Sequence, residues 1–110
     1  MENFGTWLLK KLKEKKITQS DLAKRSGLSE GTISNIISGS RGTGVESVEA
    51  LAHGLRIPPE EVFLAAIGRP MKPRDEWVNE MAHKIDSLPP NLRVIAERFV
   101  ESMSNDGEEN

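Results

Sequence analysis

Apolar side chains return along this chain at the three- and four-residue spacing of a helix, and short runs rich in Gly, Pro, Ser and Thr interrupt them. Phe4, Leu8 and Leu12 recur every four residues, with Leu9 widening the stripe and lysines filling the rest, which predicts a helix over 4–15. Trp7 lies at the edge of that stripe and reads as a partly buried aromatic. Thr18 and Asp21 stand three apart as a capping box, so a second helix is expected over 19–26, with Leu22 and Ala23 on its apolar side. Ile17, just ahead of it, is placed to act as a hydrophobic staple. Gly27 follows at the point where a helix end passing through left-handed backbone calls for glycine. Ser29 is the expected N-cap of a third helix, 29–38, whose Ile33, Ile36 and Ile37 share one side and which Gly39 closes.

The pattern resumes after GSRGTG, residues 39–44, whose glycines mark a loop. Thr43 and Glu46 offer another capping box, and Val45, Val48, Leu51, Ala52 and Leu55 make the apolar face of a fourth helix. Pro58 or Pro59 opens a short fifth, with Glu60 and Glu61 in the first turn, where acidic groups suit the helix dipole. Its Val62, Phe63, Ala66 and Ile67 are expected to pack inward. GRPMKPR, residues 68–74, breaks the pattern; two further helices are expected over 75–86 and 89–103, with Ser87 as the N-cap of the second. Val78, Met81 and Ile85 form one stripe there, and Leu92, Ile95, Ala96, Phe99 and Met103 the other. Helices this short are poorly stable alone, so these stripes must bury against the first part of the chain or against another copy of it. The expectation is an all-α protein in three parts: a domain over 1–68, a helical hairpin over 69–104 and a disordered acidic tail over 105–110.

Ala23, Gly27, Ile33 and Ile36 form a register of a small residue, a turn glycine and two buried apolar residues. In that register the chain resembles the phage-repressor-like helix-turn-helix family, of the Cro/repressor or Xre type. The resemblance extends to Leu51-Ala52 and to the closing LRIPPEEVFLAAIG, and so covers roughly residues 4–67. It implies a five-helix lambda-repressor-like domain, a sequence-specific transcriptional regulator of bacterial or phage origin, and 29–38 as the recognition helix. Occupancy of an operator would block or recruit polymerase. It also implies that Gln19, assisted by Ser20, holds a phosphate at the start of the second helix, and that the loop beside the DNA backbone makes Arg41 a phosphate contact. Many members carry a dimerising C-terminal extension, which implies a homodimer on a palindromic operator through Val78, Met81, Ile85, Leu92, Ile95 and Phe99.

At about 100° per residue, the side of the third helix opposite its isoleucines carries Gly31, Ser34, Asn35 and Ser38, with Glu30 and Thr32 on the flanks. These short polar groups suit close approach to base edges. Asn35 can pair bidentately with adenine, and Thr32 can set its methyl against thymine. Glu30 has two readings, an acceptor for cytosine N4 or an acid in the first helical turn, and Ser29 can cap the helix and touch a phosphate together. No Arg, Lys or Gln stands on that outward face, which leaves no guanine reader and shifts weight to DNA shape.

A formal net charge of −2 argues against nucleic acid until its distribution is counted. Residues 1–45 hold eight Lys or Arg against four Asp or Glu, whereas 71–110 hold five against nine. Affinity for DNA follows the docking face and not the chain total, so the first part is free to bind it. A chain of 110 residues has room for one domain and little more. Its N-terminus places apolar residues before lysines, the reverse of a secretory signal, and no window approaches a membrane span. The absence of cysteine excludes disulfides and thiolate metal sites and fits a soluble cytoplasmic protein. His53 and His83 have no partner at metal-ligand spacing, and no nucleophile stands beside an orienting base; neither an enzyme nor a cofactor is expected. The alternative is an antitoxin or other protein-interaction module on the same fold, with the C-terminal helices holding a different protein.

Overall fold

The computed structural model describes residues 2–39, 44–69 and 73–108, with 45, 46 and 103–108 described by their backbone alone. It contains α1 (Phe4–Lys15), α2 (Gln19–Ser26), α3 (Glu30–Ser38), α4 (Val45–Leu55), α5 (Pro59–Gly68), α6 (Arg74–Lys84), a 3-10 turn (Ile85–Ser87) and α7 (Pro90–Glu108). No strand occurs among the described residues. The chain divides into two compact units, Met1–Lys72 and Pro73–Asn110.

In the first unit α2 packs on α4, α4 on α5, and α3 on both α1 and α2. Phe4, Leu8, Leu22, Ile33, Leu51 and Phe63 are wholly buried, and together they draw on all five helices. Each such side chain contributes roughly 1.5–3 kcal/mol on burial, which is what stabilises helices too short to persist alone. Trp7 is half-buried, as its place at the edge of the stripe suggests. Its ring stacks on Phe4 with centroids 5.3 Å apart, and the Lys11 ammonium sits 5.7 Å from the Trp7 centroid. Close approach of α4 to α2 falls at Gly54, where a Cβ would meet Leu22 Cδ1 at 2.6 Å and Ser26 Cβ at 3.1 Å.

The helix ends largely follow the local chemistry. Thr18 Oγ1 accepts from the Asp21 N–H at 3.0 Å while the Thr18 N–H donates to Asp21 Oδ2 at 3.1 Å, a complete capping box. Asn3, unanticipated, caps α1 by accepting from the Thr6 N–H at 2.8 Å. Pro58 is the N-cap of α5, and Pro59 takes its first helical position. At α4 the expectation needs correction. A box of Thr43 and Glu46 would make Thr43 the N-cap, but the N-cap is Gly44 and makes no side-chain cap bond. Glycine is tolerated there almost as well as a capping side chain. Thr43 and the side chains of Val45 and Glu46 lie outside the described residues.

The second unit is α6, the 3-10 turn and α7, packed on one another. Trp77, Met81, Leu88, Leu92 and Ala96 are buried. Trp77 and Met81 stand four apart, so the buried side of α6 is turned one residue back from the expected stripe, and Val78 and Ile85 are only half-buried. The helix also stops at Lys84, short of the expected 86. Ser87 does not cap α7: its hydroxyl donates to the Lys84 carbonyl at 2.7 Å, because Leu88 and Pro89 separate it from the first helical residue. Arg93 clamps the turn from α7, with Nη2 donating to the carbonyls of Asp86 at 3.0 Å and Leu88 at 3.3 Å. α7 continues to Glu108, into the stretch expected to be a disordered tail from 105. Each added residue brings its own backbone bond once a helix exists, and no proline follows to stop it. The Met103 side chain lies outside the described residues.

Candidate nucleic-acid interface

The turn between α2 and α3 is tied by its own residues. Gly27 takes the left-handed conformation at φ +80, and its N–H donates to the Ala23 carbonyl at 3.0 Å. Ser26, not singled out from the sequence, adds a second tie: its hydroxyl donates to Ala23 O at 3.4 Å and accepts from the Leu28 N–H at 3.2 Å. The chain therefore enters α3 in a direction set by Ser26 and Gly27. Ser29 then caps α3, accepting from the Thr32 N–H at 3.0 Å. The same hydroxyl donates to Thr32 Oγ1 at 2.9 Å, which links the cap to the half-buried Thr32. At the far end Gly39, at φ +84, donates to the carbonyls of Asn35 and Ile36.

Ala23, Ile33 and Ile36 are buried, so three of the four motif positions form the seat and Gly27 forms the turn. Ile37 is half-buried at the margin. Outward, Glu30, Gly31, Ser34, Asn35 and Ser38 are exposed, with Thr32 half-buried on the flank. A Cβ at Gly31 would meet nothing nearer than Ser29 Oγ at 3.9 Å, so that part of the surface is open. Ser38 Oγ donates to the Asn35 carbonyl at 3.2 Å. Gln19 and Ser20 are half-buried in the first turn of α2, beside the Thr18 cap. These residues lie on two helices that pack directly together. Arg41 lies outside the described residues.

The charges sort by location. Lys10 pairs with Glu2, which also meets Arg69 at 3.4 Å, and Lys11 pairs with Glu14 at 3.4 Å and Glu61 at 3.3 Å. The bond from Lys10 holds the Glu2 carboxyl below its ordinary range, and the bond to Glu61 raises Lys11. Those lysines are engaged with α5 and the N-terminal residues. Lys13, Lys15, Lys16, Lys24 and Arg25 are exposed and make no ion pair among the described residues. Asp21 is held below the ordinary aspartate range, first by the Thr18 backbone N–H, so its carboxylate is committed to the cap. Among the described residues there is no group of His, Cys, Asp and Glu that could hold a metal ion, and no helix long and apolar enough to cross a membrane.

Two isoleucines seat α3 on a capped α2 across a glycine turn, which defines a helix-turn-helix. The family model described as Helix-turn-helix, of the Cro/repressor, Xre-like type, matches residues 8–62, half of the chain, and the chain belongs to that family. The match begins inside α1, ends inside α5 and leaves the second unit outside it. Membership makes the chain a DNA-binding transcriptional regulator of a non-enzymatic family. No curated protein and no solved structure matches the chain.

Proposed function

We propose that this regulator acts as a homodimer of bacterial or phage origin, in the cytoplasm, on a palindromic operator, with α3 of each copy in the major groove. The observation that carries the reading is the exposed face of α3. Gly31, Ser34, Asn35 and Ser38 offer short polar groups and no long side chain to hold bases at a distance. Asn35 reads adenine, Thr32 and Glu30 stand beside it, and Gln19, Ser20 and Ser29 hold phosphates at two helix N-termini. Arg41, between α3 and α4 in the sequence, adds a phosphate contact. The copies meet through the second unit. Met81 and Leu92 are wholly buried within one chain, so Val78, Ile85, Ile95 and Phe99, all half-buried, are the residues left to face a partner.

Selection of duplexes from a random library by the full chain tests this. The expected outcome is an inverted repeat with half-sites about 10–10.5 base pairs apart. Asn35→Ala then weakens operator binding by about 1–3 kcal/mol, the size of one bidentate base contact, and leaves binding to mixed-sequence DNA unchanged. A library that yields no consensus, or an Asn35→Ala chain that binds the selected site normally, overturns the reading face. Sedimentation of the full chain, with the double variant Ile95→Glu and Phe99→Glu as comparison, tests the dimer. A dimer that survives both charges is held elsewhere, and a wild-type monomer that binds a different protein favours the interaction-module alternative.

A further inference from the structure

α3 is also held from behind, at a position the helix-turn-helix register does not include. Gly5 is buried in the first turn of α1, against the last turn of α3. A Cβ at residue 5 would lie 2.3 Å from Ile37 O, 2.7 Å from Ile36 O and 2.9 Å from the Ile37 carbonyl carbon. All three are backbone atoms and cannot swing aside. Ile36 O is already the acceptor for the Gly39 N–H that closes α3. At Gly54, by contrast, the nearest atom is the end of a side chain, Leu22 Cδ1, and the nearest backbone atom, Ser26 N, stands at 3.2 Å. Nor is α1 free to yield, since Phe4 and Leu8 on either side of Gly5 are wholly buried and Asn3 fixes its start. A side chain at residue 5 therefore requires α1 and the C-terminal turn of α3 to stand about 1 Å further apart, the distance needed to bring such contacts to ordinary packing.

We infer that Gly5 is a positioning residue for DNA reading: its bare backbone sets the depth and tilt at which α3 presents Asn35 and Ser38. This rests on α3 being the reading helix, as proposed above. Gly5 touches no base. It acts through the α1–α3 contact, and the property it controls is the preference for operator over other DNA, since phosphate contacts tolerate small shifts better than base contacts do.

The test uses the full chain, a duplex selected by the wild type and a mixed-sequence duplex at the same salt, well below each variant's melting temperature. Gly5→Ala should lower the ratio of the two affinities about tenfold, the size of one disturbed base contact. Its amide NMR shifts should concentrate in α1 and at 35–39, the last turn of α3 and its Gly39 cap. Val62→Ala, a cavity in the wholly buried centre of α5, controls for lost stability and should leave the ratio unchanged. If Gly5→Ala lowers the ratio no more than Val62→Ala does, the inference is overturned. An unchanged ratio in Gly5→Ala, with a lowered one in Asn35→Ala, overturns it and leaves the reading helix standing. An unchanged ratio in both removes α3 as reader and the inference with it. Should Gly5→Ala be unfolded in buffer, the ratio is read in trimethylamine N-oxide, which restores the compact state, and the same outcomes decide.

Discussion

The two helices of the helix-turn-helix and the helices they pack on are stabilised differently. α2 and α3 bury two apolar residues each, Leu22 with Ala23 and Ile33 with Ile36. α4 buries Val48, Leu51, Ala52 and Leu55, and α5 buries Val62, Phe63, Ala65 and Ala66. The bonding at the helix starts runs the other way. Thr18 and Ser29 close α2 and α3 with side-chain bonds, and a left-handed glycine ends each, whereas Gly44 and Pro58 cap α4 and α5 with none. A helix that leaves one face for a partner gives up burial, and local hydrogen bonds offset part of that loss. α4 and α5 are held by what they bury and need little from their ends, whereas α1 has both, burying Phe4, Leu8 and Leu12 behind its Asn3 cap.

Truncation in α4 should produce the largest loss. Leu51→Ala is expected to cost about 2–5 kcal/mol in denaturant unfolding, and a loss below about 1 kcal/mol would mean that α4 is not held by burial. Gly27→Ala comes next, at about 1–2 kcal/mol, although a Cβ there meets nothing within 4 Å, because the cost lies wholly in the backbone conformation. The capping contrast is finer. Thr18→Ala and Ser29→Ala should each cost about 1 kcal/mol, while Gly44→Ser at the start of α4 should change stability by only a few tenths. Equal effects at the three positions would erase the distinction between the two sets of helices. Smallest is a dependence on pH. The Asp21 pKa is lowered from 3.8, so its cap contributes fully above that value and is lost as pH falls through the lower folded-state pKa. Carboxyl NMR should therefore show Asp21 titrating below 3.8, and Asp21→Ala should flatten this acid-side loss of stability; titration at or above 3.8 would contradict the capping geometry.

Much of the helix-turn-helix is legible in the sequence because its bonds are short-range. The Thr18–Asp21 box, the Gly27 turn and the Ser29 cap each join residues within four positions, so their types and spacing are sufficient. The outward residues of α3 followed from the place of its isoleucines. In the second unit the local pattern is ambiguous. Val78, Met81 and Ile85 have helical spacing, and so do Trp77 and Met81; periodicity cannot choose between two overlapping stripes when both are apolar. Ser87 has the chemistry of a cap, but it closes the 3-10 turn and donates to the Lys84 carbonyl at the end of α6 instead. Asn3, three residues before the Thr6 N–H it accepts from, has the type and spacing of a cap.

The sequence by itself determined where most helices begin and end, which face of each is apolar, and the register that places the chain in its family. All of these depend on neighbours a few residues apart. Only the tertiary structure decided that Gly5 must be bare against Ile36 and Ile37, that Gly54 admits α2, and that Trp77 takes the buried side of α6. Steric exclusion and burial depend on where a second element stands in space. No local pattern encodes the 2.3 Å between a missing side chain at residue 5 and a carbonyl oxygen thirty-two positions later.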